Sequence, residues 1–160
     1  EGYLESTSRG FTLPNLAPDR IAEVFVLRRL LEPYAVACVA RDRSEGQLAD
    51  LAAALVATAA AGGEVAAFHR GAEAFRNIWV AAVSNAELRH AIQRYSGQVQ
   101  SVRIATLPDP EARKTIVRGL EDLHSALAAR DGPRASDLML RFIYDAEDAY
   151  RRRVAAERTA

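Results

Sequence analysis

Two pairs of residues have spacings that could do chemistry. His69 and Glu73 stand four apart, the separation that lets two side chains on one helix face share a metal ion. No third donor can be named beside them, so an exposed helix-face pair is the reading that competes with a metal site. Arg76 stands one turn after Ala72, beside the apolar positions Phe75, Ile78 and Trp79. A permanent cation there has two readings. It is a helix-edge residue whose stem lies on Trp79 or Ala72 and whose charge pairs with Glu73, or it is the anchor of an internal anion site. Arg28, four before Glu32, reads as half of an exposed ion pair with it or as a second donor to the same anion site. His124 near an apolar stripe and His90 near a helix surface read as satisfied or solvated histidines. No nucleophile with a base, paired carboxylates or metal cluster can be assembled, which argues against an enzyme.

The elements that must position these residues follow from periodicity. Residues 1–17 alternate apolar and polar types around Thr7-Ser8-Arg9-Gly10, as a hairpin or the remnant of one does. The chain starts without an initiator Met, which suggests a fragment of something longer. From Pro18 the pattern is helical, with Ile21, Val24, Phe25, Leu27, Leu31, Tyr34, Ala35 and Cys38 expected inside, and with Pro33 expected to kink or divide the helix after Glu32. Ser44 to Gln47 has the form of a capping box and opens a second helix through Leu48, Leu51, Leu55 and Val56 to Gly62-Gly63. A third helix is expected over about 64–83, with Phe68, Phe75, Ile78, Trp79, Ala82 and Val83 inward. Ser84 to Glu87 reads as another capping box before one helix reaching about Thr106 through Leu88, Ile92, Tyr95, Val99 and Val102. Asp109 as N-cap with Pro110 at the first helical position starts the next, carrying Ile116, Leu120, Leu123 and Leu127 inward. After Asp131-Gly132-Pro133 the last helix buries Leu138, Met139, Phe142, Ile143, Ala146 and Tyr150. Its Arg151-Arg152-Arg153 reads as ordinary cations near a helix end rather than a nucleic-acid patch. The expected fold is an all-α antiparallel bundle of six or seven helices.

Composition limits what such a bundle can do. Lys plus Arg and Asp plus Glu are both 21, so the net charge is zero, and no global field draws in DNA or an anionic membrane. The single cysteine, Cys38, reads as a small core residue and fits a reducing cytoplasm. There is no apolar run of transmembrane length. The expected localisation is cytoplasmic.

Particular segments say more than composition. Val26 to Pro33, Ala37 to Ala40, Ala67 to Phe75, Ala81 to Asn85 with Leu88, and Ala126 to Asp131, in that order and spacing, resemble the C-terminal effector-binding domain of FadR-type GntR transcription regulators. The resemblance runs from Pro18 to about Tyr150. Gly2 to Leu13 resembles the wing hairpin of that family's winged helix-turn-helix. The implied organisation is a wing and linker remnant at 1–17 of a mostly absent DNA-binding domain, then an effector-binding and dimerisation domain at 18–160. The implied partners are a small-molecule effector, a second copy, and DNA only through the missing module, with no membrane. An alternative is a dimerisation domain whose effector pocket is degenerate and filled.

In many members the bundle holds a metal through an Asp and a His one turn apart and a His from each of two later helices. The register of the resemblance puts those four places at Ala72, Arg76, Leu120 and Phe142, none of them a metal donor. No metal or other cofactor is therefore expected. Arg76, with Arg28 at a place where the family often has a pocket-facing arginine, would replace the metal as anion anchor, with Arg103 as a third candidate. Trp79, Leu120 and Phe142 would be apolar walls beside Ala72. The expected ligand is a carboxylate or acyl metabolite.

Overall fold

The computed structural model describes residues 5–7, 10–12 and 17–159. The first two segments, β1 (Glu5–Thr7) and β2 (Gly10–Thr12), pair antiparallel with Ser6 opposite Phe11. The remainder of the expected hairpin, including its turn at Ser8-Arg9, lies outside the described residues.

Among the described residues seven helices follow: α1 (Pro18–Asp42), α2 (Glu45–Ala60), α3 (Val65–Ala81), α4 (Ala86–Gln93), α5 (Ser96–Thr106), α6 (Pro110–Ala128) and α7 (Gly132–Thr159). Their starts are set by local chemistry. Pro18 sits at the first turn of α1, where its missing N–H costs nothing. Ser44 and Gln47 form a complete capping box on α2, and Asp109 accepts from the amide of Glu111 ahead of α6. Arg43, just past α1, donates to the carbonyls of Leu127 and Ala128 at 2.9 Å each and so closes the C-terminus of α6.

Several expectations change. Of the two outcomes expected at Pro33, division does not occur: α1 passes through it as one helix, with buried residues on both sides. Asn85, not Ser84, caps α4, accepting from the amide of Leu88. The single helix expected to reach Thr106 is two, separated at Arg94-Tyr95. Leu27 and Tyr34, expected inside, are exposed, as is Val56 of α2, and Cys38 is only partly buried.

The core runs along α1, which lies antiparallel to α7: Gly132 adjoins Ala37, Arg29 bonds Glu147, and Pro18 and Thr159 line one groove. Phe25, Val36, Phe75, Leu127, Met139 and Ile143 fill its centre. α2 and α3 touch closely at Gly71, where a Cβ would fall 2.9 Å from the backbone nitrogen of Thr58.

Candidate functional site

The residues that carry the site come from five helices. α1 supplies Arg28 and Glu32, α3 Ala72, Arg76 and Trp79, α5 Arg103 and Thr106, α6 Thr115 and Leu120, and α7 Phe142. All of them line one cavity of about 80 Å³. A single water occupies roughly 10–15 Å³ on this scale, so the space admits about half a dozen waters or one small organic molecule. The seven candidates expected from sequence, Arg28, Arg76, Arg103, Ala72, Trp79, Leu120 and Phe142, are thus brought together around one volume. Phe142 enters because α6 has Gly119 opposite it: a Cβ there would lie 2.2 Å from the ring.

The polar end of the cavity is organised by Glu32, which is fully buried. Its Oε1 accepts from Arg28 Nε at 3.2 Å, Arg76 Nη2 at 2.9 Å and the Tyr95 hydroxyl at 3.2 Å. Its Oε2 faces Arg28 Nη2 at 3.4 Å. Burial alone would raise the carboxyl's pKa, but the charges of Arg28 and Arg76 and their hydrogen bonds outweigh it and hold Glu32 down to about 2. Burial, and then the Glu32 charge, push the Tyr95 phenol up, so it stays a donor. Both exposed-pair readings are therefore corrected. Arg28 and Glu32 form a buried pair, and Arg76 bonds Glu32 across from α1 rather than Glu73 on its own helix. The stacking on Trp79 does occur, with the Arg76 guanidinium carbon 5.4 Å from the ring centroid.

Arg103 completes the electrostatics. Burial, then the like charges of Arg76 and Arg28, lower its pKa to about 10. Among the described residues it has no carboxylate within ion-pair distance, and the Nε of buried Arg76 has no hydrogen-bond partner. Three guanidinium groups face one carboxylate, which leaves two positive charges uncompensated on the cavity wall. Such a wall favours an anion with planar acceptors. The field reaches His69, whose pKa is lowered by burial first and by Arg103 next.

The donor set does not fit a metal. Ala72, Leu120 and Phe142 offer no lone pair, and Arg76 brings a like charge to the same place. His69 lies 3.6 Å from Glu73 and is half-buried, with Gln100 beside its Nε2. Among the described residues no group of three or more His, Cys, Asp and Glu could hold an ion. His124 is partly buried and its Nε2 lacks a partner, whereas His90 is exposed as expected. Arg151 and Arg153 pair with Glu147 and Glu157, and Arg152 stands at the exposed rim of the cavity with Asp145.

Glu32 and Tyr95 were not anticipated as site residues. The signal for Glu32 was present: Ile21, Phe25, Arg28, Glu32, Ala35 and Val39 recur at three- and four-residue steps, so Arg28 and Glu32 share the core-facing stripe.

No curated protein matches the chain. Among the described residues no helix is long and apolar enough to cross a membrane. Residues 23–145, more than three quarters of the chain, match the family model described as the FCD domain. The all-helical bundle and this match agree: the chain belongs to the FCD domain family, the FadR-type C-terminal effector-binding domain of GntR-family transcription regulators.

Proposed function

We propose that this chain is the ligand-sensing and dimerisation domain of a bacterial cytoplasmic regulator, and that its cavity takes a small carboxylate or acyl metabolite. The observation that carries this reading is a pair of donors without partners, Arg103 and the Nε of Arg76, on the wall of a cavity whose other side is formed by Trp79, Leu120 and Phe142. A carboxylate between them would relieve like-charge repulsion and satisfy a buried N–H. Arg28, held by Glu32, positions that carboxylate's neighbours rather than binding it. Trp79, Leu120 and Phe142 flank the apolar part of the ligand, and Ala72 leaves room for it. In this reading 1–17 is the end of the DNA-binding module and 18–160 the sensing domain, whose occupancy shifts how two DNA-binding modules are held. Binding by Ala72, Arg76, Leu120 and Phe142 is metal-free.

The second reading, a dimerisation-only domain, is favoured by one observation: Phe142 packs over Gly119 and reduces the cavity. Titration calorimetry with a panel of short carboxylic acids separates the two. Saturable binding that disappears in Arg76→Ala supports sensing; heat-silent titrations across the panel support the filled pocket.

A further inference from the structure

α1 carries two apolar faces. One lines the core through Ile21, Phe25, Ala35 and Val39. On the other, Val26, Leu27, Leu30 and Tyr34 remain 49, 44, 69 and 65% exposed. α7 extends this second face with Leu140 and Tyr144, 36 and 49% exposed, and the Arg29 guanidinium, 5.2 Å from the Tyr144 ring centroid, joins the two helices. Those fractions leave roughly 600 Å² of apolar-residue surface on one side of the molecule, the upper end of what a monomer shows. Covered by a second copy, it would bury about 1,200 Å² in total, where specific interfaces begin.

The charges at the ends of this face say what covers it. Glu23 and Arg41 lie on the same exposed side of α1, 18 residues or about five turns apart, one at each end of the apolar stripe. Their midpoint is residue 32. A two-fold axis there runs α1 antiparallel to the partner's α1 and sets Leu30 against the partner's Tyr34 and Glu23 against the partner's Arg41. Apolar side chains meet at the centre and acid meets base at both ends, so the surface is complementary to itself. Arg41 is held by Asp42 through Nε and Nη2, which leaves Nη1 for a second acceptor.

We infer that the exposed face of α1, flanked by Leu140 and Tyr144 of α7, is the surface through which two copies of this chain associate, antiparallel about residue 32. This rests on the dimer part of the proposed function and names its interface. The face lies opposite the stripe that carries Arg28 and Glu32, so the same helix connects the cavity to the partner.

Sedimentation velocity over a concentration series tests it on the wild-type protein and four variants. Leu30→Glu is expected to weaken association at least 100-fold while circular dichroism stays native, since the residue is 69% exposed in the single chain. Glu23→Arg and Arg41→Glu are each expected to weaken it about tenfold, and the double exchange Glu23→Arg with Arg41→Glu to restore it. A dimer indifferent to all four variants would overturn this face and leave dimerisation standing. A wild-type protein that stays monomeric at the highest concentration would overturn dimerisation and this face together. Restoration by the double exchange supports the antiparallel register, because a merely structural effect of either charge would add rather than cancel.

Discussion

Replacing Glu32 by Gln removes the carboxylate that Arg28 and Arg76 share, with almost no change of shape. Three guanidinium groups are then left with no anion between them. The folded-state pKa of Glu32, about 2 against an ordinary 4.5, corresponds to a carboxylate stabilised by the fold by on the order of 3 kcal/mol. Breaking one side of a buried ion pair independently costs about 3–5 kcal/mol. Glu32→Gln should therefore lose at least about 3 kcal/mol at pH 7, or roughly 6–12 °C of Tm for a domain of this size. The pH dependence follows from the depressed pKa. The contribution is full above the unfolded value of 4.5 and is lost as pH falls toward about 2, because the unfolded chain takes up the proton first. Thermal unfolding of wild type and variant between pH 7 and pH 2 measures both effects. The difference in Tm should shrink steadily below pH 4.5. A variant within about 2 °C of wild type at pH 7, or a gap that persists at pH 2, would refute the assignment of Glu32 as the ionised centre of the cavity.

Other outcomes follow from the same geometry. Arg103→Met removes a cation that its neighbours repel while keeping its apolar stem; it should stabilise the unliganded protein by on the order of 1–2 kcal/mol, discounted for partial exposure, and abolish binding of carboxylates in calorimetry. Zinc, nickel or manganese should leave the melting temperature unchanged, since the positions that would hold an ion offer no donors; a rise of several degrees would contradict this. Gly71→Ala places a methyl group against the backbone of Thr58, and its overpacking cost of about 1–3 kcal/mol should exceed the helix-propensity gain of about 1 kcal/mol, lowering the denaturant midpoint. The chain should bind DNA weakly in a mobility shift, because at zero net charge no overall positive field draws it onto the duplex; a tight shifted band would contradict this.

Much of the bundle could be read in the sequence because its caps are local. Ser44 with Gln47, and Asp109 with Pro110, mark helix starts through contacts within three residues. The break at Tyr95 was less legible, since the three-four apolar repeat continues across it from Ile92 to Val99. The cavity's apolar wall was found through the register of the resemblance, but its polar centre was not. Arg28 and Glu32 have the spacing of a surface pair; their place on the stripe of Phe25 and Ala35 points them inward, but that Arg76 and Tyr95 meet them there depends on the packing of α3 and α5 over α1. Leu27 and Tyr34 illustrate the converse. A period of 3.6 identifies an apolar stripe without saying whether core or another molecule covers it, and α1 has one stripe of each kind.

Sensing by this domain requires a carboxylate to bind between Arg103 and the Nε of Arg76. The most direct measurement is calorimetric titration of the wild-type protein, Arg76→Ala and Arg103→Met with a panel of short carboxylic acids. The predicted result is saturable binding of at least one acid to the wild type and none to either variant, all three being folded by circular dichroism. An acid that binds both variants with wild-type affinity would contradict it.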